Sequence, residues 1–177
     1  YNDVSAKLPI RLNSNDDGVE IRTTDSGRIR HPETVDMGGA RLESLDVRLA
    51  RLRLRSGAAG WTGSATLDPD TLRVAQDGGL ADGARVTPGP VRLRLESGDG
   101  GPRLRARLND ASARLPALKL RASGITADLQ MGAAGEPMGT LAIGRFTDGE
   151  SPARFAPVGL RAVLRRAADQ LIAAGTL

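Results

Sequence analysis

Apolar and polar residues alternate with a period of two along most of this chain, as in strands with one apolar and one polar face. Ala6, Leu8, Ile10 and Leu12 alternate with Lys7, Pro9 and Arg11. Leu45, Val47 and Leu49 alternate with Asp46 and Arg48; the phase then slips, and Ala50, Leu52 and Leu54 continue against Arg51, Arg53 and Arg55. A slip of one residue inside a strand predicts a β-bulge or a tight bend. Trp61, Gly63, Ala65 and Leu67 run to Asp68-Pro69-Asp70, whose residue types predict a turn. Leu72 and Val74 end at Asp77-Gly78-Gly79.

The second half is more regular. Val91, Leu93 and Leu95 alternate with Arg92, Arg94 and Glu96 up to Gly98-Asp99-Gly100-Gly101, and Leu104, Ala106 and Leu108 return against Arg103, Arg105 and Arg107. This predicts an antiparallel hairpin with Leu93, Leu95, Leu104 and Leu108 on one face and the arginines on the other. Ala111, Ala113 and Leu115 follow Asn109-Asp110; Leu118, Leu120 and Ala122 follow Pro116; Ile125, Ala127, Leu129 and Met131 follow Gly124; Leu141 and Ile143 lead to Phe146. Such segments recur about every ten to fifteen residues, as in a mainly β, antiparallel meander. Residues 158–174 are ambiguous. They are good helix formers, and Leu160, Val163, Leu164, Ala167 and Leu171 fit a helical face, so local propensity predicts a short helix. Yet Val158, Leu160, Ala162 and Leu164 alternate like a strand, as do Leu171, Ala173, Gly175 and Leu177, with Arg165 to Asp169 available for a turn.

Composition narrows the chemistry. With no Cys, disulfides, thiolate catalysis and Cys-based metal sites are excluded. His31 is the only histidine and reads as a surface-loop residue before Pro32. Ser26 and Ser64 lack nucleophile-elbow spacing and read as turn and strand residues. Asn13-Ser14-Asn15-Asp16-Asp17-Gly18 is oxygen-rich but lacks the spaced ligands of a calcium loop, and Gly57-Ala58-Ala59-Gly60 lacks the Lys-Ser/Thr of a phosphate loop. No enzyme activity, metal or cofactor is expected.

Lys+Arg number 25 against 21 Asp+Glu, a net charge of +4. The Arg48, Arg92, Arg94, Arg103, Arg105 and Arg107 positions fall on polar strand faces without interleaved aromatics for base stacking, so no nucleic acid is expected. They read as a solvated face paired with Glu43, Asp46, Glu96 and Asp110. The aromatics are only Tyr1, Trp61, Phe146 and Phe155, so the apolar inventory is Leu, Val, Ile and Ala. That inventory fits a thin core, or an apolar surface left for another molecule. The chain begins at Tyr1, has no signal-peptide pattern, and nowhere approaches the roughly 20 apolar residues of a membrane helix. It is expected to be a single fragment, residues 1–177, of a longer protein.

The phrases LDVRLARLRLR, WTGSATL and DPDTLRVAQDGGLADGARVTPGPVRLRLESGDGGPRLRARLNDASARLPALKLRASGITADLQM, with FAPVGLRAVLRRAADQLIAAGTL as their continuation, resemble the YdbH family of the AsmA-like superfamily. The resemblance runs from Leu45 onward; residues 1–40 add only general β patterning. It implies an open β-trough with an apolar interior, in a bridge-like lipid transfer protein that carries phospholipid between inner and outer membranes. It further implies a periplasmic location, an inner-membrane anchor outside these residues, outer-membrane or periplasmic partner proteins, and no catalytic residues. Under that reading the groove would be lined by Val47, Leu49, Leu93, Leu95, Leu104, Leu108, Leu118, Leu120, Ile125 and Leu129. Small residues at Gly63, Ala65, Ala106, Ala113 and Ala127 would leave room for acyl chains. The same alternation also fits a β-sandwich or β-solenoid module of structural or adhesive type in a bacterial envelope protein.

Overall fold

A computed structural model describes residues 5–16, 18–31, 34–36, 41–43, 45–58, 60–76, 78–98, 101–132, 137–167 and 170–176. The described residues form one 16-stranded antiparallel sheet. The strands are β1 (Ser5–Lys7), β2 (Ile10–Asn15), β3 (Gly18–Thr23), β4 (Gly27–His31), β5 (Val35–Asp36), β6 (Arg41–Leu42), β7 (Leu45–Gly57) and β8 (Gly60–Pro69). They continue as β9 (Leu72–Ala75), β10 (Ala84–Thr87), β11 (Val91–Gly98), β12 (Gly101–Leu115), β13 (Leu120–Met131), β14 (Pro137–Asp148), β15 (Val158–Ala167) and β16 (Gln170–Thr176).

The register shows a simpler plan than the strand list. Both β8 and β9 pair with β6–β7, since Val47 faces Pro69 and Leu42 faces Val74. Likewise β10 and β11 both pair with β12. Several strands are thus collinear pieces of longer runs, and each run pairs with the next in sequence. The result is an up-and-down meander that remains open, its β1–β2 and β16 edges unjoined among the described pairings.

The expected hairpin is present. Arg92 faces Arg107, Leu93 faces Ala106, Arg94 faces Arg105 and Leu95 faces Leu104. The phase slip after Leu49 is a bulge: Leu49 faces Leu67 but Arg51 faces Thr66, leaving Ala50 as the extra residue. Thr23 Oγ1 accepts from the Leu52 amide beside it, 3.0 Å away.

Of the two readings open for residues 158–174, the strand pair is the one present, as β15 and β16, with Ala162 facing Gly175 and Leu164 facing Ala173. The strong helix formers are overridden because β14 offers an unpaired edge, and Leu141 and Ile143 take Ala162 and Leu160 as cross-strand partners. Asp68-Pro69-Asp70 does not reverse the chain. It is a kink in a continuing run, where the Asp70 amide donates to the Asp46 carbonyl at 2.9 Å. His31 likewise ends strand β4 instead of lying in a loop.

Such interruptions line up across the sheet. Asp70–Thr71, Pro88-Gly89-Pro90, Asn109-Asp110, Gly124 and Gly144 occupy successive runs at neighbouring positions. Asp110 and Gly124 take left-handed backbone, φ 55° and 62°. The parity of apolar positions switches there, from Leu67 to Leu72, Val91 to Val86, Leu108 to Ala111, Ile125 to Ala122 and Ile143 to Phe146. The irregular residues rotate each run, so the arginines remain exposed on both sides of this crease and the apolar set more shielded.

Strand β13 is flanked by β12 and β14 along its length, whereas β16 pairs on one side only. Amide hydrogen exchange should therefore be slowest in β13 and fastest in β16. Equal protection in the two strands would contradict this sheet order.

Candidate functional site

The apolar side of the sheet is built from cross-strand rows. One row runs Leu49, Leu67, Val91, Leu108, Ala127, Leu141, Ala162. The next runs Leu52, Ala65, Leu93, Ala106, Leu129, Gly139, Leu164, alternating large and small from strand to strand. A third runs Leu54, Gly63, Leu95, Leu104, Met131, Pro137. Together these described residues make a continuous hydrocarbon wall, none of them charged.

This wall is shielded unevenly. Val47 and Leu49 are buried, with Leu49 3% exposed. Towards the hairpin ends of β12 and β13, in the second and third rows, Leu104, Leu129 and Met131 are 37–42% exposed. Among the described residues no large side chain is fully buried. A sheet sealed against a second layer buries its large inward residues; this one leaves them half open.

The ten sequence-derived groove positions are mostly brought together. Leu49 and Leu108 lie in the first row, Leu93 and Leu129 in the second, and Leu95 and Leu104 in the third. Val47 extends the wall on β7, facing Ile29 and Pro69. Leu120 and Ile125 sit on β13 on either side of Gly124. Leu118 does not join a strand. Pro116 opens a 3₁₀ turn over Pro116–Leu118 and Lys119 follows in left-handed backbone, so Leu118 belongs to the bend between β12 and β13. The glycine spaces are also not vacant: a methyl placed on Gly63 would meet the Leu54 side chain and, at 2.7 Å, the Arg53 carbonyl. The leucines of one strand lean over the small residues of the next.

One end of the wall is capped by a loop that the alternation did not reveal. Phe155 stacks on Phe146, ring centroids 5.9 Å apart and nearly parallel. Asp148, facing Leu120 across the strands, fixes that loop. Its carboxylate accepts from the Arg154 backbone amide at 2.6 Å, the Arg154 side chain at 2.8 Å and the Glu150 amide at 3.1 Å. Arg154 also donates to the Leu118 carbonyl at 2.7 Å. The Arg154 side-chain hydrogen bonds, reinforced by the two amides, hold the Asp148 carboxyl far below the usual carboxylate range. The sequence signal was present in Phe146 and Phe155, the chain's only phenylalanines.

The polar side carries a recurring charge device: one carboxylate between two arginines of the neighbouring strand. Glu20 accepts from Arg53 at 2.7 Å and Arg55 at 3.2 Å; Asp46 from Arg28 at 2.7 Å and Arg30 at 3.0 Å; Asp128 from Arg105 and, at 3.0 Å, Arg107. The partners differ in part from those expected. Arg48 pairs with Asp68 at 2.8 Å, not Asp46; Glu96 does pair with one of the expected arginines, Arg94, but along its own strand instead of across strands. Asp128 was overlooked because it lies on the strand after the hairpin, where register alone reveals it. Each bridging carboxylate is held below its ordinary range, chiefly by the arginine hydrogen bond.

A depressed carboxylate stabilises the fold above its unfolded-state pKa and loses that contribution as pH falls through its folded-state value. Resistance to urea should therefore be steady from neutrality down to about pH 5 and decline below about pH 4. Asp128→Asn should shrink that decline; an unchanged acid limb would show that the bridge contributes nothing.

Among the described residues no group of three His, Cys, Asp or Glu side chains is placed to hold a metal, and no helix is long and apolar enough to cross a membrane. Comparison with known proteins adds no relative. No family model, curated protein or solved structure matches this chain.

Proposed function

We propose that this chain is a segment of a bridge-like lipid transfer protein, and that acyl chains lie along its apolar wall without being chemically altered. The observation that carries this reading is the half-open wall, with Leu104, Leu129 and Met131 uncovered on its apolar side towards the hairpin ends of β12 and β13. Covering a half-exposed leucine is favourable by about 1 kcal/mol, so an acyl chain spanning several rows gains enough to be retained. The resemblance to the YdbH family supplies the setting. The longer protein would reside in the periplasm, anchored in the inner membrane by a segment outside these residues, and carry phospholipid between the inner and outer membranes. Partner proteins would meet it at the ends of the bridge. A sealed structural or adhesive module would require large side chains buried between two layers, and no specific observation favours it.

The test is native mass spectrometry of the full-length protein released from membranes in mild detergent. Phospholipid-sized adducts that survive detergent exchange are expected. A lipid-free mass at all collision energies would overturn the proposal.

A further inference from the structure

On the polar side beyond the crease, five adjacent runs converge on a cavity of about 780 Å³ with a repeating composition. Each run contributes one arginine and one hydroxyl: Thr71 and Arg73, Arg85 and Thr87, Ser112 and Arg114, Arg121 and Ser123, Arg145 and Thr147. Four of the arginines stand directly opposite one another, Arg73 facing Arg85, Arg85 facing Arg114 and Arg114 facing Arg121. The fifth, Arg145, faces Ser123. The hydroxyls reach each other as well, with Thr71 Oγ1 3.2 Å from Thr87 Oγ1.

No carboxylate lines this cavity, and none of its five arginines has an ion-pair partner among the described residues. The contrast lies on the same sheet. A neighbouring cavity lined by Lys7, Arg28 and Arg48 also holds Asp46, Asp68 and Asp70, so its charge is offset. Like charges directly opposite on adjacent strands destabilise a sheet. A row of four such arginines is therefore a site where an anion would be welcomed by both the electrostatics and the donor geometry. Arginine forks and hydroxyls together offer the donors that phosphate oxygens accept.

We propose that this arginine–hydroxyl cavity binds a phosphate-bearing ligand, either a free polyphosphate anion or the headgroup of a phosphorylated lipid. The site faces away from the apolar wall and does not depend on the acyl-chain reading.

The probe for the free anion is inorganic pyrophosphate, titrated calorimetrically into the full-length protein. The probe for a headgroup is flotation with phosphatidylcholine vesicles with and without phosphatidic acid. Arg114→Ala and Arg145→Ala should each weaken pyrophosphate binding by roughly tenfold or more, since charge-assisted hydrogen bonds are lost. Arg51→Ala, an equally unpaired arginine outside the cavity, should leave it unchanged. If phosphatidic acid preference falls with the same variants, the source is a headgroup; if it does not, the source is a free anion. Should Arg114→Ala misfold, Arg114→Lys keeps the charge but not the fork and should weaken binding less than Arg145→Ala. Absence of pyrophosphate binding, or equal weakening by Arg51→Ala, would overturn the proposal. So would a single-stranded oligonucleotide that binds more tightly than pyrophosphate and loses affinity equally with Arg51→Ala.

Discussion

Leu129→Asp is expected to abolish lipid retention while leaving the fold intact. Leu129 lies in the row between Ala106 and Gly139, on the apolar wall, and is 38% exposed. In the lipid-free chain an aspartate there keeps contact with water, so folding loses little. With an acyl chain over it, the same carboxylate must be desolvated without a partner, which costs several kcal/mol, on the order of a hundredfold or more in occupancy. Leu120→Asp is a poorer choice, because Leu120 faces Asp148 and a second carboxylate would disturb the Arg154 hub. Arg94→Asp supplies the control: it disrupts only an exposed pair with Glu96 on the polar side and should preserve both fold and lipid. Circular dichroism establishes folding, and phosphate assay of the extracted lipid reads occupancy. If Leu129→Asp folds and carries as much lipid as the parent, the wall is not the binding surface.

Gly89→Ala is expected to be a strongly damaging change despite adding only a methyl. A methyl at Gly89 would collide with the Asn109 carbonyl oxygen and come within 3.2 Å of the Asp110 carbonyl. Both are backbone atoms of the facing run, and the prolines on either side leave the Gly89 segment little freedom to retreat. Overpacking of this kind costs about 2 kcal/mol or more, which lowers Tm by roughly 4–8 °C in a chain of this size. Gly132→Ala is the comparison, because nothing lies within 4 Å of the methyl it adds. Thermal melts of the two variants decide the matter. Equal Tm values would mean that the crease is not the tight crossing described.

Period-two alternation was sufficient to reveal the mainly β fold, the β11–β12 hairpin and the bulge at Ala50, because each depends on local pattern. The polar and irregular residues were harder. Asp68-Pro69-Asp70, Asn109-Asp110 and Gly124 have turn chemistry, and alone they read as places where a strand stops. In the sheet they are interruptions within continuing runs, because the partner strands on both sides hold the chain straight across them. At 158–174 alternation and helix propensity disagreed, and the strand pair formed because a free β14 edge outweighs local propensity. Ion pairs were legible as a class but not as partners: Asp128 meets Arg105 and Arg107 only once the register of β13 against β12 is fixed. The shared apolar side of most of these positions emerged from alternation, except Leu118, where Pro116 diverts the chain into a turn. The arginine cavity could not be read at all, since its five runs are spread from Thr71 to Thr147 and meet only through meander pairing.

The central claim is that lipid contacts one side of this sheet and not the other. Adjacent positions on β11 separate the two sides by a single residue, Leu93 facing Ala65 and Ala106 on the apolar wall and Arg94 facing Ser64 and Arg105 on the polar side. A photoreactive phenylalanine analogue placed at each position in the full-length protein, irradiated in cells fed radiolabelled phosphate, reports the contact directly. Phosphate-labelled crosslinks at position 93, with background only at position 94, are the expected result; equal labelling at both positions, or at neither, would contradict lipid carriage on the apolar wall.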